Sequence, residues 1–340
     1  MAELFAPFII KDLEIKNRIV MPPMCMYSAP NSVPEDWHYI HYGSRAIGGV
    51  GLIIIEATGV APNGRISDKD LGLWDDSQVI ALSHLVSAIH DQGAKVGIQL
   101  NHAGRKCIVE NELIKAPSPI AFDEGSRTPI EMSIADIKET VREFAYAANG
   151  ANNAGLDVVE IHAAHGYLLS EFLSPLTNKR DDEYGGNHEN RARFLKEVIE
   201  AVSEVWPKEK PIFVRISAED YADGGNTKED LATMINLIKN AGNGIDVVDV
   251  STGGVISVMP SFSPGYQIVH AEYIKNETGI PVIGGGLITN PVEAEAIVSE
   301  GKADLVYIGR ELLRNPHWVY SAANELKEDV MWPTPYERAR

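Results

Sequence analysis

The sequence predicts an α/β protein: a (β/α)8 barrel of the TIM type, with an N-terminal β-hairpin cap and an extended C-terminal tail. Three observations lead there. Short runs of Val, Ile and Leu alternate with helix-length segments about eight times along the chain. The runs are continuously apolar, as strands buried on both faces are. No linker rich in Gly, Pro or Ser divides the chain, so residues 1–340 read as one domain. A doubly wound open sheet would alternate in the same way, but no Gly-x-Gly-x-x-Gly opens the first unit.

Each element has its own signal. Residues 5–17 alternate loosely around Lys11 and Asp12 and read as a hairpin closing one end of the domain. Residues 18–21 form a first buried strand, cut by Pro22 and Pro23, which cannot donate to a ladder. Residues 37–47 read as helix and 52–56 as an interior strand. Over 75–92, Val79, Leu82, Leu85, Val86 and Ile89 mark one helical face, which Gly93 ends. Residues 95–100 are strand, and a loop of Pro, Ser and Glu follows. Residues 133–154 make a helix, with Ser133 and Asp136 at capping-box spacing. A strand over 155–159 leads into His162. Helices at 189–206, 228–240, 271–277, 291–299 and 316–326 then alternate with strands at 211–216, 245–250, 281–283 and 304–308.

Composition narrows the function. Lys and Arg number 30 against 48 Asp and Glu, a net charge of -18. Such a surface repels phosphate backbones and anionic lipid, so neither nucleic acid nor membrane is an expected partner. The longest apolar run, 50–55, is closed by Glu56 and is too short to span a bilayer. Residues 1–5 carry neither the basic nor the apolar region of a signal peptide. The two cysteines, Cys25 and Cys107, form no Cys-x-x-Cys pair, which suits a reduced cytoplasm.

In a barrel the reacting groups collect where strands end. Those ends carry residues 22–27, Ala57, Gln99, 162–167, Arg215, 251–254, 284–286 and Gly309-Arg310. His162, His165 and Tyr167 crowd one such end. Three readings stay open for them: satisfied polar residues, two metal-binding imidazoles, or two donors gripping a substrate oxygen beside a proton-donating phenol. The Gly-rich turns at 284–286 and Gly309, with Arg310, suit a phosphate. A buried Arg215 without a counter-charge would call for an anionic or strongly polar partner. Glu160, one period-2 step before His162, reads as its possible internal partner, and Cys25 as a small core residue.

The combination of motifs is specific. Asn17-Arg-Ile-Val-Met-Pro-Pro-Met-Cys-Met-Tyr27, Gln99-Leu-Asn-His-Ala-Gly-Arg-Lys106, Glu160-Ile-His-Ala-Ala-His-Gly-Tyr-Leu168 and Ile308-Gly-Arg-Glu-Leu-Leu-Arg314 resemble the old yellow enzyme family. With Cys25 and the Tyr336-Glu-Arg338 tail, the chain resembles the family's bacterial, thermophilic-like branch, over roughly residues 4–338. The resemblance implies an FMN-dependent barrel that takes hydride from NADPH or NADH and reduces the activated C=C bond of α,β-unsaturated carbonyl compounds.

Carried across position by position, the resemblance places Pro22, Pro23, Met24, Cys25, Ala57, Gln99 and Arg215 around the flavin ring. Gly286, Gly309 and Arg310 would hold the phosphate. His162 and His165 would grip the substrate carbonyl oxygen, Tyr167 would deliver the proton, and Tyr27 would close over the substrate. Cys25 would tune the flavin as a weak S–H donor. Two preorganised donors to an oxygen that gains charge are worth roughly 3–4 kcal/mol each in this kind of chemistry. Pro22 stands where some relatives place Ser, and Ser170 where a His is common.

The same resemblance implies a homodimer or homotetramer in which Arg338, on the tail 328–340, reaches into a neighbour's site. Trp332 and Tyr336 would dock that tail, with Pro333 and Pro335 stiffening it. Reduction of quinones or nitro compounds as the main role, and a non-catalytic flavin-binding protein, stay open beside the ene-reductase. A metal hydrolase on His162 and His165 would need a third ligand. An iron–sulfur relative of the same barrel would need more than two cysteines.

Overall fold

The computed structural model describes residues 2–241, 244–258 and 260–339. Met1 and Arg340, the ends of the expected domain and tail, lie outside the described residues, as do Gly242, Asn243 and Met259.

A hairpin, β1 (Phe8–Ile10) and β2 (Leu13–Ile15), comes first, turning at Lys11 in a positive-φ conformation. Then follow β3 (Ile19–Met21), α1 (Asp36–Ile47), β4 (Leu52–Gly59), α2 (Asp76–His90) and β5 (Lys95–Asn101). Next come β6 (Lys115–Ala116), β7 (Ile130–Glu131), α3 (Ile134–Asn153), β8 (Val158–Ala163) and α4 (Leu168–Leu173). The chain continues as α5 (His188–Val205), β9 (Ile212–Ser217), α6 (Lys228–Asn240), β10 (Val247–Ser251) and α7 (Ile268–Thr278). It closes with β11 (Val282–Gly284), α8 (Pro291–Ser299), β12 (Leu305–Tyr307), α9 (Arg310–Arg314) and α10 (Trp318–Leu326).

Eight of the described strands close a barrel in the order β3-β4-β5-β8-β9-β10-β11-β12. The (β/α)8 expectation holds. Every strand pairing in the barrel is parallel, including β12 with β3 across the closure. Helices start where the sequence supplies caps: the Ser133 hydroxyl and the Asp136 carboxylate bond each other's backbone amides at the start of α3.

Alternation along each strand sorts the interior into layers. The hairpin's Phe8, Leu13 and Ile15 pack with Val20, Leu52, Ile54, Val158, Phe213, Val247, Ile283 and Leu305. That apolar plug fills the end of the barrel where strands begin. Two residues further along four of these strands stand Glu160, Arg215, Asp249 and Tyr307, with Gln99 of β5 in register beside Glu160, all buried. Two further again stand His162, Ser217 and Ser251. Polarity therefore rises toward the strands' C-terminal ends, and the site sits on that gradient.

Five elements depart from the expected pattern. Residues 310–314 form α9, which sequence reading placed outside any helix; Asn315 before Pro316 is forced out of the helical region, with φ of -129° and ψ of 91°, so the last helix breaks in two. Helix α4 and the two-residue strands β6 and β7 are too short for periodicity to mark. The tail runs irregularly to Pro333 and then winds into a 3-10 turn over Thr334–Ala339, because proline's fixed φ suits a helix start as well as an extended chain.

Candidate active site

At the end of β3 the chain passes through Pro22, Pro23, Met24, Cys25, Met26 and Tyr27. The Met26 amide donates to Glu56 at 2.8 Å, pinning this loop to β4. The β4–β5 register shifts between Ile55 and Thr58, a bulge that turns Glu56 toward α1 and Ala57 toward the site. Ala57 then packs in one cluster with Cys25 and Tyr167. Cys25 is a free thiol, pushed up to about 12 by burial and then by the Asp70 and Glu56 carboxylates. It is therefore protonated at neutral pH. Tyr27 is half-exposed at the mouth and holds a φ of 51°.

The His162 ring stands 5.2 Å from His165 and 5.0 Å from Tyr167, edge-on to both. His162 Nδ1 accepts the Ala164 amide at 3.3 Å, which leaves the proton on Nε2 as a donor. Burial holds both imidazoles well below their ordinary range; the positive charges of Arg215 and Lys106 add to it, so both are neutral at pH 7. The two differ in engagement. His165 Nε2 lies 2.7 Å from Ser251 Oγ, and its amide donates to Ser217 at 2.8 Å. Burial, then the nearby Cys25, Tyr27 and Asp70, drives Tyr167 well above its usual value, so its hydroxyl keeps its proton.

A cavity of about 300 Å³ opens beside these groups, lined by Pro22, Pro23, Met24, Arg215, Gly286, Gly309 and Arg310 among others. Four of the expected ring-binding residues, Pro22, Pro23, Met24 and Arg215, thus share one space with the expected phosphate-binding set, whereas Cys25, Ala57 and Gln99 do not line it. A larger cavity, about 550 Å³, lies between the tail and Asn17, Gly49 and Gly93, which precede their strands; it faces the opposite end of the barrel. Gly286 carries a φ of 103°, and a Cβ there would stand 2.8 Å from the Tyr266 ring. Gly309 caps α9, and Arg310 follows it into solvent.

Two expectations about charge are corrected. Arg215 is not without a counter-charge: its Nε is 3.1 Å from Asp249 Oδ2 inside the barrel. Glu160 does not partner His162; Gln99 Nε2 donates to its Oε1 at 2.8 Å. Arg338 is exposed on the tail's 3-10 turn and lines none of the cavity that holds Arg215. Trp332 stacks on Tyr320 at 4.2 Å and Tyr336 lies 5.9 Å from His317, so both tail aromatics dock on their own chain. Among the described residues no three His, Cys, Asp or Glu side chains converge as metal ligands.

Sequence reasoning missed Lys106 and Asp249. Lys106 Nζ bonds the His165 carbonyl at 2.7 Å and the Gly254 carbonyl at 2.6 Å, beneath the Phe122 ring at 4.2 Å. It ties together the two loops that carry the histidines and the end of β10. Asp249 was visible as the one charge inside the apolar 247–251 strand, at the register of Arg215.

Comparisons with known proteins agree with this fold. The NADH:flavin oxidoreductase / NADH oxidase family model matches residues 3–329. An NADPH dehydrogenase of Clostridium acetobutylicum is 54% identical over 339 residues, covering 99% of each chain. Among solved structures, morphinone reductase superposes with a TM-score of 0.83 at 28% identity, over 98% of this chain and 91% of that one. The old yellow enzyme homologue from Zymomonas mobilis gives a TM-score of 0.80 at 29% identity, over 97% and 94%. A closed barrel, a glycine-lined slot with Arg215 at its floor, and a family match along nearly the whole chain converge: the chain belongs to the NADH:flavin oxidoreductase / NADH oxidase family of FMN-dependent oxidoreductases.

Proposed function

We propose that the protein is an ene-reductase, using NADPH to saturate the activated C=C bond of α,β-unsaturated carbonyl compounds. The observation that carries this reading is one constellation: a neutral His162 with a free Nε2–H, and a protonated Tyr167 5.0 Å from it, beside the cavity of Arg215. Mere flavin binding has no use for a buried proton donor.

The residues fit FMN. The slot joins Arg215 at the barrel floor to Arg310 at the rim, past Gly309 and past Gly286, where an added Cβ would meet the Tyr266 ring. Pro22, Pro23, Met24, Cys25 and Ala57 would meet the ring, with Gln99 and Arg215 at its polar edge; Gly286, Gly309 and Arg310 would hold the phosphate. What bound FMN supplies is two-electron chemistry, accepting hydride from the nicotinamide and passing it to the acceptor. Arg215 favours the charge that reduction places on that edge. His162 donates to the substrate oxygen as it gains negative charge, and His165 does so on exchanging Ser251 for that oxygen. Tyr167 protonates the carbon next to the carbonyl. Tyr27 flanks the mouth. The chain acts in the cytoplasm as a homodimer or homotetramer, and a neighbour's Arg338 completes the pocket.

The test is NADPH consumption with 2-cyclohexenone, a quinone and a nitroaromatic, with product identified by mass spectrometry. Cyclohexanone formed in step with NADPH loss is the expected result. Turnover of the quinone alone would make quinone reduction the main role; no turnover of any acceptor by yellow protein would leave a binding protein.

A further inference from the structure

The polar layer inside the barrel contains an arrangement that the reaction above does not use. Gln99 on β5, Glu160 on β8, Arg215 on β9 and Asp249 on β10 stand on four neighbouring strands, at the level just above the apolar plug. Gln99 and Arg215 are the two side chains assigned to the flavin's polar edge. Glu160 and Asp249 are the acids beneath them, 0% and 1% exposed.

Their bonding leaves a deficit. Glu160 Oε1 accepts from Gln99, and Asp249 Oδ2 sits 3.1 Å from Arg215 Nε, close enough to pair but not aligned for a hydrogen bond. Glu160 Oε2, Asp249 Oδ1 and Asp249 Oδ2 then have no donor among the described residues. Two ionised carboxylates within hydrogen-bond reach of each other, with three orphaned oxygens in a buried layer, would repel each other and lack solvation. One proton between them removes the repulsion and gives two of the three oxygens a partner, leaving the remaining Asp249 oxygen to the Arg215 charge.

We propose that Glu160 is a protonated positioning residue that donates to ionised Asp249, so that one relay, Gln99 to Glu160 to Asp249 to Arg215, sets the orientation and charge of the flavin's polar edge. Two links then have a donor and an acceptor, the Gln99 amide to the Glu160 carbonyl oxygen and the Glu160 hydroxyl to Asp249, and the third is the ion pair of Arg215 with the Asp249 charge. With one proton the layer is neutral overall; without it, a net negative charge would lie under the ring and oppose its reduction. The direction of titration agrees. Burial, followed by the Asp249 charge, raises Glu160 well above a normal carboxyl, while Arg215 and Gln99 pull the other way. Asp249 is raised by burial and held back first by Arg215, and its place 3.1 Å from the Arg215 Nε makes it the charged member. The other polar group near Arg215 in this layer is the Tyr307 ring, 5.7 Å away, and burial keeps its hydroxyl protonated.

The relay rests on the placement of FMN against Arg215 and Gln99, so two measurements separate the claims. The first is infrared difference spectroscopy, parent minus Glu160→Gln, on full-length yellow protein at pH 7, in H2O and D2O. A carboxylic-acid C=O band present only in the parent and sensitive to D2O is expected; its absence means Glu160 is ionised and overturns the proposal, whatever the protein reduces. The second is the FMN midpoint potential. Glu160→Gln, a neutral isostere with the same donor and acceptor, should fold, retain FMN and leave the potential unmoved. Asp249→Asn removes the charge and should shift it positive. Equal shifts in both variants, or failure of Glu160→Gln to fold or hold FMN, would overturn the proposal. If Asp249→Asn does not hold FMN, the Glu160→Gln results decide alone.

Discussion

Replacing Gly286 by alanine probes the phosphate end of the slot. With φ at 103°, the backbone is in a region that L side chains rarely adopt, and the new Cβ would meet the Tyr266 ring at 2.8 Å and Gln267 Oε1 at 3.2 Å. Holding alanine there costs roughly 1–3 kcal/mol. Displacing the ring adds roughly 1–3 kcal/mol of overpacking. Tyr266 is half-buried and has room to turn, so the lower end applies, about 2 kcal/mol in total. This part acts with or without FMN and lowers Tm by about 3 °C. Binding responds to the methyl group itself, which takes the space where a phosphate oxygen meets the backbone. One hydrogen bond to a charged group is worth about 1.5–3 kcal/mol, so Kd for FMN should rise roughly 10- to 100-fold. The assay is quenching of flavin fluorescence on titrating FMN-free protein. Gly301→Ala is the control: it has φ of 75° and nothing within 4 Å of its Cβ, so it carries strain without blocking the slot. Equal Kd values for Gly286→Ala, Gly301→Ala and parent would refute the placement of the phosphate.

Four further outcomes are expected. Ile15→Ala in the hairpin plug should destabilise by about 2–5 kcal/mol in urea unfolding and leave FMN bound. Cys25→Ser should move the FMN potential without changing the fold; an unmoved potential makes Cys25 packing only. Burial pushes Glu171 up to about 8 despite the Arg105 charge. The unfolded chain releases that proton near its ordinary value of about 4.3. The folded state therefore binds more protons in between, and its stability falls as pH rises from about 5 to 8. Glu171→Gln should gain on the parent across that window in urea unfolding, and a constant gap would contradict the assignment. Mixing Arg338→Ala with Tyr167→Phe and exchanging subunits should restore activity if Arg338 works in trans, whereas confirmed exchange without recovery excludes it.

Much of this was legible in the sequence because barrel strands are buried on both faces. Val, Ile and Leu runs leave strands no other place, and the caps at Ser133 and Gly93 mark where helices start and stop. Strand ends then named the candidate site, and the structure draws Pro22 to Met24, Arg215, Gly286, Gly309 and Arg310 into one space, with Cys25 in the Ala57 and Tyr167 cluster next to His162. What could not be read was pairing across strands. Arg215 looked unpaired because Asp249 is 34 residues away and becomes its neighbour only through the β9–β10 register. Ser251 engages His165 across a longer gap, 86 residues. Short elements escaped for a different reason: α4, β6 and β7 are held by tertiary contacts, with too few residues for a periodic signal.

The measurement closest to the central claim separates the two half-reactions in Tyr167→Phe by anaerobic stopped-flow. The removed hydroxyl touches only the step that needs a proton on carbon. Reduction of the bound flavin by NADPH should proceed within about twofold of the parent, while reoxidation by 2-cyclohexenone should slow by roughly 10²- to 10⁴-fold, the range for a lost general acid. Reoxidation by a quinone, which takes its protons on exposed oxygens, should be nearly unchanged. Equal slowing of both half-reactions, or enone reduction at the parental rate, would contradict the assignment of Tyr167 as the proton donor and with it the ene-reductase reading.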